Sequence, residues 1–427
     1  MRRAVPANST PPCAAAPRDA DVAVVGGGLL GLSTALELAE LGRSVVVLEA
    51  GSVGCGQSGR SGGQLWPGPG VALSTLVERF GEKAALRSWE LMHEALAVVH
   101  QRAAQAGGCG FRPGLLLVSR TRAQQRRVAG EARLLERLGI AWGRYVPGDE
   151  LRRRYLDSPR YRDALLLCGD EPGHQYGHLD ALAFTRALAR LAGAAGATLC
   201  EQRRVSRVHR LPGGGFELQA GGLRLRAAQV VLATGAATLP GAPLPRCFVP
   251  ATTLILYTEA LHAREAAALL PTDAAFCDAS TTAMHYARLV DAGLGDGSRR
   301  LAFGGADALA QLQLAWSLRA IRREMFAVFP QLRGCRVETI RSGRCDLGRD
   351  GLPMLLEPLP GLYSASGFSG HGMVATTAYA TAIAQGLSGR SRARFDAWSA
   401  FNSRPYASNR LLALGQAACS SLLATRR

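Results

Sequence analysis

Lysine is nearly absent: of 50 basic residues in the 427-residue chain only Lys83 is a lysine, and the rest are arginines scattered among abundant Ala and Gly. The formal charge of +17 therefore reads as compositional bias rather than as a polyanion-docking face, which would cluster its cations. The short runs 152–154 and Arg203, Arg204 and Arg207 read as solvated faces that could still attract an acidic partner. No aromatic-interleaved basic module accompanies them, so no nucleic-acid partner is expected. Also missing are Cys-x-x-Cys pairs and His clusters at ligand spacing. The ten cysteines stand singly, which argues against both a zinc site and a disulfide framework and fits a reducing, cytoplasmic setting. The long uncharged stretch 227–245 carries Gly and Pro and has Val-Val-Leu near its start, so it reads as a buried strand and loop, and no membrane span is expected. Residues 1–20 are rich in Pro, Ala and Arg and lack the apolar centre of a secretory signal; a disordered leader is expected, with organellar import as the alternative.

What is present is a chain long enough for two lobes. Residues 21–25 form a short apolar strand, 26–31 a glycine turn, 32–41 a helix and 44–48 a second buried strand, together a βαβ unit. Helical apolar spacing covers 73–105, 124–138 and 180–192. A small β region follows, with strands at 205–210, 216–220 and 223–227 around a turn at 212–215, then a strand at 229–234. Alternating β-branched residues over 249–303 indicate a sheet, 309–329 a helix closed by Pro330, and 391–427 a helical tail.

Gly26-Gly27-Gly28-Leu29-Leu30-Gly31 fits Gly-x-Gly-x-x-Gly and lies after a strand and at the opening of a helix, where that pattern has a physical reason. Gly26 permits the tight turn, Gly28 lets backbone approach a pyrophosphate, Gly31 lets helix pack on strand, and the helix N-terminus favours the anion. Glu49, eighteen residues past Gly31 and followed by Ala50, stands where a carboxylate accepts from a ribose diol and repels a 2′-phosphate. The small-residue run after it, with Ser58, Arg60, Ser61, Gly62, Gly63 and Gln64, suits backbone laid along an extended cofactor. Val205 opens the small β region, and Ala233-Thr234-Gly235 ends the strand that returns to the dinucleotide.

Near the end, a strand at 362–366 feeds Gly367-Phe368-Ser369-Gly370-His371-Gly372-Met373 and a helix running to about Leu387. This second strand, glycine loop and helix makes another anion-favouring N-terminus, the kind of group that stabilises a reduced flavin. His371 either contacts the ring or caps the loop.

On these residues the chain resembles the D-amino-acid oxidase type of FAD-dependent amine oxidoreductases, the group with glycine, sarcosine and γ-glutamylputrescine oxidases. The marks are the first turn with Glu49, the run from Ser58 to Gln64, Gly177-His178-Leu179-Asp180, Ala233-Thr234-Gly235 and above all Gly-Phe-Ser-Gly-His-Gly. The resemblance implies an α/β, two-domain fold. A discontinuous Rossmann-like FAD domain would span 21–75, 155–240 and 340–390, and a mixed-sheet substrate domain 76–154 and 241–339. It also implies non-covalent FAD and oxidation of the C–N bond of an amine or amino acid by hydride transfer, with oxygen or another acceptor taking the electrons. His371 is the residue implied to touch flavin or substrate. Two departures bear on the substrate: Val374 stands where sarcosine-type members keep a lysine, and Gly343-Arg344-Cys345 replaces Gly-x-Arg-Pro. Arg344 or Arg288 is then the candidate carboxylate anchor. Since Lys83 lies in the other lobe, a dehydrogenase of an amine or a hydroxy acid stays open, as does a flavoprotein acting on RNA-borne amines.

Overall fold

The computed structural model describes residues 17–407 apart from 170–172, 174, 238, 240, 280–283 and 308–313. The first sheet is built on a parallel core whose strands run, in spatial order, Thr198–Cys200, Val45–Leu48, Asp19–Val25, Leu223–Leu232 and Leu362–Ser366. Leu223–Leu232 is long enough to serve two neighbours. Its first half pairs antiparallel with Phe216–Ala220, which pairs with Val205–Arg210, and its second half pairs with Leu362–Ser366, which carries Met354–Leu359 at the edge. The two strands expected at 223–227 and 229–234 are thus one. Residues buried on both faces, such as the whole of Val45–Leu48, explain the continuous apolar runs of these strands.

One face of this sheet is covered by helices Leu29–Glu40, Glu82–Gln105, Ala181–Ala194 and Gly372–Leu387, the last buried along most of its length. The span 73–105, expected as one helix, is two, because Gly81 at φ +81° breaks it. Asp180 caps Ala181–Ala194 by accepting from the Ala183 amide at 2.8 Å.

The second sheet has the order Val337–Gly348, Phe248–Thr258, Arg299–Asp307, His285–Asp291, Ala275–Asp278, Leu115–Ser119, Asp163–Leu167 and Gly143–Pro147. Helices Ala263–Leu269 and Leu314–Val328 close its outer core with Leu254, Leu256, Phe276 and Phe303. Two segments expected in the first lobe, Asp163–Leu167 and most of Val337–Gly348, pair within this second sheet instead. Apolar alternation identifies a strand without saying which sheet it joins. Asp19 and Ala20, expected in the leader, belong to the first strand through pairing with Arg226 and Ala227. The rest of the leader through residue 16 lies outside the described residues. Of the tail, Ala393–Ser399 is a helix, and 408–427 lies outside.

Candidate active site

The first glycine turn is shaped by contacts that leave no room for side chains. A Cβ at Gly26, which sits at φ +114°, would lie 2.3 Å from the Ala233 carbonyl oxygen; one at Gly31 would lie 2.0 Å from the Gly26 oxygen. Ala233 thereby abuts the turn, with Thr234 and Gly235 following. Leu29 and Leu30 are already the first buried turn of the helix. Gly28 is its N-cap with no side-chain cap, and the first turn carries no acid. The Leu29 amide donates to Ser58 Oγ at 3.0 Å, and a Cβ on Gly28 would come within 2.9 Å of the same hydroxyl. Glu49 accepts from the amides of Gly27 and Gly51, each at 2.7 Å, so Ala50 is pinned between them. With the weak contact from Cys55 Sγ at 3.8 Å added, the carboxylate still has a lone pair to spare for a diol. Val205 lies deeper, buried with Val46 and Leu48 on the opposite face of the sheet.

The run after Glu49 touches every part of the molecule that meets here. Ser58 reaches the first helix, Arg60 Nη1 donates to the Ser342 carbonyl at 3.0 Å, and Ser61 Oγ lies 3.3 Å from Met373 Sδ at the start of Gly372–Leu387. A Cβ on Gly62 would lie 3.0 Å from the ring of Tyr286, and Gln64 Nε2 donates to the Phe276 carbonyl at 2.9 Å. Gly63, at φ +74°, leaves its carbonyl to accept from Leu179.

The second glycine loop is clamped by Asp346. Its Oδ2 accepts from the Gly367 amide at 2.6 Å and its carbonyl from the Ser369 amide at 2.9 Å, while Ser369 sits at φ +52° and its hydroxyl accepts from Gly348. Phe368 packs edge-on against Tyr379, and Gly370 turns the chain at φ +88°. His371 N-caps Gly372–Leu387, and its ring lies 6.0 Å from that of Trp66. A carbonyl can only accept, so the 3.2 Å contact of Nδ1 with the Ser369 oxygen puts the proton on Nδ1 and leaves Nε2 as an acceptor. Burial holds this imidazole below its usual pKa, and the helix N-terminus also disfavours a cation there.

Burial pushes Asp346 up to about 6. The fold prefers its protonated form, so its contribution to stability is present below about pH 4 and is lost as pH climbs through 6. Asp346→Asn keeps an acceptor for Gly367 and removes the titration. Between pH 4 and 6 the stability of wild type relative to this variant should fall by roughly 2 to 3 kcal/mol, measured by denaturant unfolding.

Above the run, the inner face of the second sheet presents one row of cross-strand neighbours, Tyr257, Ala302 and Arg288, and beside it another, Ile255, Gly304 and Tyr286. Tyr286 fills the space left by Gly62 and Gly304. Arg341 lies 5.1 Å over the Tyr257 ring. Tyr286, Arg288 and His371 are each only partly exposed, and burial holds the Arg288 guanidinium below its usual pKa. Arg288 Nε is buried without a hydrogen-bond partner. Arg344 is elsewhere: it pairs with Thr252, on the opposite face from Gly343 and Thr253, and is exposed. The structure thus brings Arg288, and not Arg344, to the inner face. Sequence reasoning missed Tyr257, Tyr286, Trp66 and Asp346. The two glycines flanking Tyr286 are a trace of it, but only the fold brings Gly62 and Gly304 together.

The residues fit a dinucleotide: a helix N-terminus whose N-cap is a glycine and whose first turn has no acid, a cradle that a Cβ at Gly28 would fill, and a carboxylate beyond it. The family described as FAD dependent oxidoreductase, DAO, matches residues 21–386. The γ-glutamylputrescine oxidoreductase of Escherichia coli (strain K12) is 28% identical over 396 residues, covering 92% of this chain and 89% of that protein. A probable oxidoreductase, OrdL, of Haemophilus influenzae is 28% identical over 377 residues, 87% and 83% of the two chains. Glycine oxidase from Geobacillus kaustophilus superposes with a TM-score of 0.70 at 21% identity, covering 88% of this chain and 96% of that one. L-proline dehydrogenase from P. horikoshii gives 0.67 at 18%, with 89% and 99% covered. The two structural likenesses speak to the fold.

Proposed function

Because the chain belongs to the DAO family of FAD dependent oxidoreductases, we propose that it oxidises the C–N bond of a small amine or amino acid bearing a carboxylate, with oxygen as acceptor and hydrogen peroxide as product. Arg288 carries this reading: an enclosed guanidinium on the inner face of the second sheet, with no carboxylate at ion-pair distance among the described residues. A buried cation without a counter-ion is costly, and a substrate anion would relieve that cost. The similarity to γ-glutamylputrescine oxidoreductase supports an amine substrate.

Gly26, Gly28, Gly31 and Glu49 would hold the adenosine diphosphate half of FAD, Ser58 to Gln64 its length, and Gly367 to Met373 the flavin end. When bound, FAD supplies the two-electron acceptor for the hydride that leaves the carbon beside nitrogen. The chain's own contribution is then placement and proton handling. Arg288 fixes the substrate's carboxylate and with it the direction of the amine. Nε2 of neutral His371 accepts a hydrogen bond from an N–H of the free amine, the form whose lone pair becomes the C=N bond. The N-terminus of Gly372–Leu387 favours negative charge beside it.

The exposed position of Lys83, at the start of Glu82–Gln105, favours a second reading in which the electrons pass to an acceptor other than oxygen. A screen of amines, N-methyl amino acids and γ-glutamyl amines decides both. Anaerobic bleaching of the flavin by a carboxylate-bearing amine, followed by peroxide release in air, is expected. Bleaching without peroxide selects the second reading, and a protein that no amine bleaches removes the proposal.

A further inference from the structure

Resting on the reading of Arg288 as the carboxylate anchor, we propose that His178 is its positioning residue, a neutral acceptor that aims the guanidinium without neutralising it. His178 is buried in the short strand Gly177–His178, which pairs with Gln64–Leu65 on one side and Arg112–Pro113 on the other. Its Nε2 lies 2.9 Å from the Asp273 carbonyl oxygen, and its Nδ1 lies 3.4 Å from Arg288 Nη1. The carbonyl can only accept and the guanidinium can only donate. Hence Nε2 carries the proton and Nδ1 the lone pair, and no other tautomer satisfies both contacts. Burial and the nearby Arg288 lower the imidazole pKa to about 3, so it stays neutral throughout the physiological range.

The alternative partner for Arg288 is close by and already engaged. The Asp273 carboxylate pairs with Arg299 at 2.9 Å and with Arg112 at 3.2 Å, and only its backbone carbonyl turns toward His178. Arg299 and Arg112 therefore share that carboxylate, while Arg288 feels Asp180 and Asp273 only from beyond ion-pair distance and keeps its positive charge on the inner face of the second sheet. A carboxylate at position 178 would orient Arg288 as well as the histidine does, but would cancel the charge that an incoming anion needs. An imidazole separates aim from neutralisation.

The test uses the FAD-loaded protein, titrated with benzoate and followed by the flavin absorption spectrum. Arg288→Leu is expected to weaken benzoate by about a hundredfold, and unchanged affinity would remove the anchor reading and this inference with it. With Arg288 intact, His178→Asn, whose amide oxygen can still accept, should stay within about threefold of wild type, whereas His178→Asp should lose about a hundredfold at unchanged FAD content. Equal affinities for the Asn and Asp variants would overturn the role of His178 while leaving Arg288 as the anchor. If His178→Asp does not fold, His178→Leu replaces it: about tenfold weaker binding than His178→Asn supports the role, and equal binding refutes it.

Discussion

Gly28→Val is expected to yield a folded, colourless protein. The backbone at Gly28, φ −92° and ψ −174°, is extended and open to any residue, so the change imposes no backbone strain. What it costs is space. Its Cβ would lie 2.9 Å from Ser58 Oγ, the hydroxyl that accepts from the Leu29 amide, and the branched methyls would crowd the helix N-terminus. Loss of close approach at an anion-binding N-terminus should weaken FAD by at least about a thousandfold, roughly 4 kcal/mol. Far-ultraviolet circular dichroism should be unchanged while the flavin absorption of the purified protein disappears. Gly31→Val provides the contrast: its Cβ would meet the Gly26 oxygen at 2.0 Å, so helix and strand could not pack and the fold itself should fail. A yellow Gly28→Val protein would show that the pyrophosphate lies elsewhere.

Arg288→Leu should move activity and stability in opposite directions. Removing the anchor leaves a substrate carboxylate without its partner, so KM for a carboxylate-bearing amine should rise by about two to three orders of magnitude. The substrate-free protein should nevertheless become more stable, by about 1 to 3 kcal/mol, because an enclosed charge with an unpartnered Nε is exchanged for an apolar side chain. Steady-state kinetics and denaturant unfolding on one preparation measure both. A variant that loses stability and keeps its KM would show that Arg288 serves the fold.

Much of the cofactor half is legible in the residues because its requirements are local. A glycine turn between strand and helix, an acid at the end of the next strand and a glycine loop before a late helix are patterns of neighbours, and the structure places Leu362–Ser366 and Gly372–Leu387 at their expected bounds. The substrate half is not local. Arg288 and Arg344 both lie on β-strands, and what separates them is which face of the sheet each occupies, settled by the pairing of Phe248–Thr258 with its two neighbours. The exposed run 338–342 in Val337–Gly348 hides the alternation that would have shown it. His178 is similar: its partners Asp273 and Arg288 are 95 and 110 residues away in the chain. Asp346 could be seen in the sequence, but its clamp on Gly367 depends on a bridge between Leu347 and Phe368.

The position of Leu362–Ser366 in the first sheet also sets an order of events during synthesis. Asp19–Val25 leaves the ribosome some two hundred residues before its neighbour Leu223–Leu232, and the strand beyond that one leads directly into the second glycine loop. A nascent chain holds the phosphate turn long before it holds the flavin end of the site. Such sequence-distant pairing is slow to form, and Gly26 to Gly31 must wait, with half a binding site, for residues 367–373. Cofactor loading thus waits for that loop, and a chain cut before Gly372–Leu387 lacks the flavin end of the site.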